Sequence, residues 1–240
     1  MHVVEGRVRF QRDPDAGGGL LVAPDASEPV PAVVLMTAIA GVNEYIRRVA
    51  ALLVQKGYAC LVLDFYTREG AVPDLSDGGK IMAAVANLSD PRTLGDIEQA
   101  MAYLRRLNNI DGDHISILGF CIGGSYALLA AAKVPGLKSA VAFYGVIRYQ
   151  QLNETKPVSP INVGSEIRCP LLGHFGEADH LVSIDSVQEL KRIVRHGEIY
   201  TYPGAGHAFH EDHRPEVYRP VAAHLAWQRT LVHLDWYLRH

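Results

Sequence analysis

The chain has 240 residues, 48% of them apolar and 20% charged, with a formal net charge of -3, which suits one buried core and a single domain over residues 1–240. Lys and Arg are scattered, so the concentrated positive field that holds nucleic acid or an anionic membrane is excluded. The first residues carry no leader pattern and the longest apolar run, about Ala32 to Val42, is too short to span a bilayer, so a cytoplasmic location is expected.

In chain order, Val3 to Phe10 and Gly19 to Ala23 read as an antiparallel edge pair. Strands follow at Ala32 to Met36, Ala59 to Leu63, Ile115 to Gly119, Ala140 to Tyr144, Leu171 to Phe175 and Ile199 to Tyr202. Between and after them lie helices at Asn43 to Lys56, Pro91 to Leu107, Gly123 to Lys133, Ile184 to Arg195 and Glu216 to Leu238. This alternation predicts an α/β fold, a mostly parallel sheet with helices on both faces. In the first helix Ile46, Val49, Ala50, Leu53 and Val54 share one face, and Gly57 supplies the stop. The last helix is expected to pack through Trp227 and Trp236. Two stretches, Arg68 to Asp90 and Arg148 to Arg168, read as irregular. Both follow strands, where the ligand crevice of an open α/β sheet lies.

The most informative segment is Gly119-Phe120-Cys121-Ile122-Gly123, in which an apolar strand runs into a helix through a cysteine flanked by glycines. This is the nucleophile elbow with cysteine in place of serine, and it puts Cys121 at a helix N-terminus, where a thiolate is favoured. Cys60 and Cys169 have structural positions, and three cysteines without ligand spacing argue against disulfides or a zinc site. A base is supplied by His207 in the Gly-rich loop Pro203 to His207, and an acid by Asp179 after the strand Leu171 to Phe175, with Glu177 the rival. The order nucleophile, acid, histidine is that of α/β-hydrolase triads. Amides of Ile122 and, by position, Ile39 are the candidate oxyanion donors. His207, His210, His213 and Asp212 give a weaker metal-cluster reading, and no metal is expected.

These motifs resemble the dienelactone hydrolase family, the carboxymethylenebutenolidases. The resemblance runs from about Val33 to the carboxyl end. It is carried by Ile39 to Asn43, Gly57-Tyr58-Ala59, Asp64-Phe65-Tyr66, Gly119 to Gly124, Phe143-Tyr144-Gly145, Phe175 to His180 and Gly204 to Phe209. It implies an α/β-hydrolase fold, a triad of Cys121, His207 and Asp179, and cofactor-free hydrolysis of a small ester or lactone, typically an enol-lactone. Two positions depart from the family pattern. Where relatives carry a glutamate before the isoleucine of the third-strand loop, this chain has Ala38, and Glu44 falls in the following helix. Where they place a serine and an arginine after the histidine to hold a carboxylate, it has Ala208 and Glu211, leaving Lys80, Arg68 or Arg214 as compensating cations. Ala38, Tyr66, Lys80, Tyr144 and His210 are the candidate substrate-lining residues. The alternatives are a non-catalytic ligand-binding or redox-sensing homologue, or a general carboxylesterase or thioesterase. No sequence feature fixes the oligomeric state.

Overall fold

A computed structural model describes residues 3–11, 13 and 15–240. Eight strands form one sheet: β1 (Val3–Arg9), β2 (Gly18–Pro24), β3 (Val30–Met36), β4 (Ala59–Leu63), β5 (Ile110–Phe120), β6 (Ala140–Phe143), β7 (Leu171–Gly176) and β8 (Gly197–Tyr202). Their spatial order is β1-β2-β4-β3-β5-β6-β7-β8. β1 pairs antiparallel with β2 and β2 with β4, and every later pairing is parallel.

Alternation along the strands divides the core in two. Val34, Met36 and Leu61 point to the face covered by helices α3 (Asp90–Leu104), α4 (Ile122–Lys133) and α5 (Ile184–Ile193). Val33, Leu35, Cys60 and Val62 point to the other, under α1 (Glu44–Gln55) and α6 (Pro220–Arg239). In α1 the predicted stripe Ile46, Val49, Ala50, Leu53 and Val54 is buried, the Asn43 side chain caps the start by accepting from the Ile46 amide, and Gly57 follows the end at φ +86.

Four expectations are corrected. The stretch Arg68 to Asp90 contains a helix, α2 (Gly78–Asn87). Its paired glycines and lack of a buried stripe, with Ala84 alone buried, hid it, whereas the Asp77 side chain capping the Lys80 amide was a legible start signal. Arg148 to Arg168 contains a 3₁₀ helix, Pro160–Glu166. The last helix begins at Pro220, because Arg219 precedes proline and stays extended at φ -125, ψ 94. Trp236 does not pack in the core but is 61% exposed.

β5 also starts earlier than expected, at Ile110, which pairs with Val30 before the register shifts to Ala32 and Ile115. The intervening Asp111-Gly112-Asp113 has turn-like composition, and only the neighbouring strand makes it part of the sheet.

Candidate active site

The site is built on the junction of β5 and α4. Cys121 sits there at φ 56, ψ -122, a conformation a non-glycine residue holds only when its surroundings impose it. The surroundings are backbone. A Cβ on Gly119 would lie 1.9 Å from the Gly123 carbonyl oxygen, and one on Gly123 would lie 2.5 Å from the carbonyls of Met36 and Thr37. The same closeness extends to Gly124, whose Cβ would meet the Phe143 carbonyl at 2.5 Å, and to Gly145, whose Cβ would meet the Gly124 carbonyl carbon at 2.4 Å. The first turn of α4 is thus wedged between β3 and β6, and the Cys121 amide donates to the Phe143 carbonyl at 3.1 Å.

Loops after β7 and β8 bring the other two residues to the sulfur. They touch through the Ala178 amide, which donates to the Ala205 carbonyl at 2.8 Å, and Gly176 leaves no room for a side chain there. His207 Nε2 lies 3.2 Å from Cys121 Sγ, and His207 Nδ1 lies 2.9 Å from Asp179 Oδ2. The other Asp179 oxygen accepts from the amides of Leu181 at 2.8 Å and Val182 at 3.2 Å, which fixes a carboxylate whose side chain is fully buried. Glu177, the rival acid, instead accepts from Thr201 Oγ1 at 2.8 Å.

Burial disfavours charge on the His207 ring, but the hydrogen bonds to Asp179 and Cys121 and the charges behind them outweigh it, raising the pKa to about 10. Burial pushes the Cys169 thiol up to about 11 and the Cys60 thiol higher still. Of the three cysteines, Cys121 alone is not buried.

Ile122 opens α4, so its amide lacks an acceptor within the helix. Ile39 lies in the turn after β3, where the Gly41 amide closes on the Ala38 carbonyl at 3.0 Å. The Tyr66 hydroxyl donates to the Ile39 carbonyl at 2.7 Å and so holds that turn in place.

A profile of the dienelactone hydrolase family matches residues 18–238. The chain belongs to the dienelactone hydrolase family. It is 41% identical over 222 residues to a Bradyrhizobium protein named "Probable 2-oxo-3-(5-oxofuran-2-ylidene)propanoate lactonase", with 91% of this chain and 88% of that one covered. The solved structure "Putative Dienelactone Hydrolase from Klebsiella pneumoniae" superposes with a TM-score of 0.91 at 29% identity, covering 99% of this chain and 100% of that one. An α/β hydrolase from a Medee basin deep-sea metagenome shares the fold at a TM-score of 0.74 and 17% identity, with 99% of each chain covered. The fold is therefore that of the α/β-hydrolases, and the chain is a hydrolase of the dienelactone hydrolase type acting on an ester or lactone.

Other members of the predicted constellation have different surroundings in this dienelactone hydrolase. Tyr144, at φ 40, is fully buried, with its ring 5.2 Å from that of His207 and 5.3 Å from Phe209, so it backs the histidine. His210 is enclosed by Phe120, Phe143 and Trp227, and its Nδ1 lies 2.6 Å from the Tyr45 hydroxyl. Burial lowers its pKa to about 4, which keeps it neutral at pH 7. Lys80 is exposed and bound to Asp74 at 2.6 Å, and Arg68 is committed to both oxygens of Asp96. Glu211 is buried and receives Arg214 at 3.3 Å, and Ala208 takes a positive φ of 60. Ala38 is half-buried beside the Ile39 turn.

Among the described residues, no cluster of His, Cys, Asp and Glu is arranged to hold a metal ion, and no helix is long and apolar enough to cross a membrane. Sequence reasoning missed Tyr45, and it quoted Gly145 for the resemblance without its close approach to Gly124. A glycine directly after a strand end marked Gly145, and Tyr45 had no local signal because its partner is 165 residues away.

Proposed function

We propose that Cys121, His207 and Asp179 form the catalytic triad of this hydrolase and that it opens a small ester or lactone through a thioester. The carrying observation is the series from Sγ to Nε2 at 3.2 Å and from Nδ1 to Oδ2 at 2.9 Å. The enol-lactone class is favoured by the family and by the lactonase relative.

With its pKa raised to about 10, His207 is a strong acceptor for the Cys121 proton, which passes from Sγ to Nε2 as the reaction begins. Sγ attacks the carbonyl carbon and the carbonyl π electrons move to oxygen. The amides of Ile122 and Ile39 are assigned to that oxyanion. Collapse breaks the bond to the leaving oxygen, which takes the His207 proton, and leaves the acyl group on Cys121 as a thioester. Neutral His207 next removes a proton from water. The hydroxide adds to the thioester carbonyl, and loss of the sulfur, which takes back the proton from His207, releases a carboxylic acid and restores the starting site. Asp179 keeps its charge throughout, holding Nδ1–H and stabilising the imidazolium.

The test pairs a dienelactone carrying a carboxylate with its methyl ester, an aryl acetate and a thioester, each assayed with the natural chain and with Cys121→Ala. Turnover of the preferred substrate is expected to fall about 1,000-fold or more in the variant. Rapid quenching should reveal the natural chain carrying one acyl mass on the peptide containing Cys121. Equal turnover by both proteins would overturn the assignment.

A further inference from the structure

Two parts of the site come from segments far apart in the chain. Ile39 lies in the turn after β3, and the Asn43 amide donates to the Gly41 carbonyl at 3.0 Å where that turn runs into α1. His207 lies in the loop after β8, on the other side of the elbow: β3 and β6 flank β5, and β8 is two strands beyond β6. A donor from one side and a base from the other must hold their separation to within about 0.5 Å to meet one substrate.

One buried hydrogen bond joins these segments directly. Tyr45, in the first turn of α1, lies four residues after Gly41, and His210 lies three residues after His207. The Tyr45 hydroxyl and His210 Nδ1 are 2.6 Å apart, and Tyr45 is only 4% exposed. Burial keeps both partners neutral, raising the Tyr45 hydroxyl and lowering the His210 ring to about 4. The pair is caged by the elbow. The Tyr45 ring meets Phe120, the residue before Cys121, edge-on at 5.8 Å. The His210 ring lies 5.5 Å from Phe120 and 5.2 Å from Phe143, whose carbonyl receives the Cys121 amide. The oxyanion turn, the elbow and the histidine loop therefore converge on one bond in aromatic surroundings, where a hydrogen bond is stronger than in water. Arg48 and Asp212 also link α1 to this loop at 2.6 Å, but their side chains are 43% and 51% exposed, and an ion pair so solvated fixes little.

We propose that Tyr45 is a positioning residue of the hydrolytic reaction: through His210 it fixes the distance between the oxyanion turn and the loop that carries His207. This role rests on the triad and oxyanion donors assigned above, and it is exerted without contact to substrate.

Hydrolysis of an aryl acetate, run in parallel with alkylation of Cys121 by iodoacetamide, reads this role. Tyr45→Phe keeps the ring and removes the hydroxyl. Its kcat is expected to fall about 10- to 100-fold with KM within about twofold, since both half-reactions pass through an oxyanion and a misplacement near 1 Å costs turnover. Alkylation needs Sγ and His207 but no oxyanion donor, so its rate should stay within about twofold of the natural chain. His210→Leu should match Tyr45→Phe, and the double variant should be no slower than the slower single. His210→Asn returns a hydrogen-bonding group near the Nδ1 position and should recover part of what His210→Leu loses. Arg48→Ala should keep kcat within about twofold. Circular dichroism and urea midpoints establish that folded proteins are compared.

A folded Tyr45→Phe protein with the natural kcat overturns the proposal, as do losses that multiply in the double variant. Alkylation that falls in step with turnover would put the defect at the thiol–imidazole contact and overturn it as well. Failure of the triad reads differently: a natural chain that still turns over ester once Cys121 is alkylated has another nucleophile, whatever Tyr45→Phe does.

Discussion

At the scale of single residues, the site depends on how Asp179 holds His207. The carboxylate is fully buried, yet two amides and one ring N–H satisfy it, so the desolvation cost is offset by hydrogen bonds that exist only when the loop after β7 is formed. The raised His207 value fixes the sign of its pH dependence. An unfolded histidine titrates near ~6.5, so this interaction stabilises the fold in full below that pH and is lost as pH climbs toward 10. In Asp179→Asn the largest raising influence is gone. The alkaline limb of kcat/KM should move from near pH 10 toward neutrality, and kcat/KM should fall about 100- to 10,000-fold. A pH–rate profile with the limb unmoved would show that Asp179 does not govern the proton on His207.

At the scale of elements, α4 is placed by the absence of side chains at its start. Gly119, Gly123, Gly124 and Gly145 let strand ends and helix turn meet backbone to backbone, and this contact imposes the left-handed conformation of Cys121. Gly124→Ala should therefore cost about 3 kcal/mol or more in urea denaturation, since the atoms it meets are backbone and cannot rotate away. Gly95, within α3, has open space around its missing Cβ. Gly95→Ala should stabilise the protein by about 0.5–1 kcal/mol in the same measurement, through helix propensity and a less free unfolded chain. If both substitutions had similar effects, close approach would not be what holds the elbow.

At the scale of the whole molecule, a buried ion pair joins segments that the sheet alone does not hold together. Lys156, in the stretch between β6 and β7, donates to Asp90 at the start of α3 at 2.6 Å and to the Tyr126 hydroxyl of α4 at 3.1 Å. Both charged side chains are more than nine-tenths buried. Burial raises the Asp90 carboxyl despite the lysine beside it and lowers the Lys156 amine despite the aspartate, which marks a pair whose desolvation is costly and whose partners cannot be separated cheaply. Lys156→Ala leaves Asp90 unpaired and should cost about 3–5 kcal/mol at neutral pH. Lys156→Met combined with Asp90→Asn should recover most of that by thermal and urea unfolding. A single variant as stable as the natural chain would show that the pair does not hold this loop.

The strands and the helices with clear stripes were legible before folding, because period-2 and period-3.6 burial leave a mark on every turn of chain. The residues Cys121, Asp179 and His207 were legible through their motifs, and α2 was not, since a helix that buries one alanine has no stripe to read. Other facts belong to no local pattern: the pairing of Lys156 with Asp90 across 66 positions, the enclosure of His210 beside Tyr45, and the burial of Tyr144 behind the histidine. The amino-acid order by itself determined the sheet class, the elbow and the three polar side chains at the strand ends. Only the tertiary structure decided which charges are paired, which aromatics are buried and which face of α6 is left open, because those properties depend on distance in space, and chain separation does not encode it.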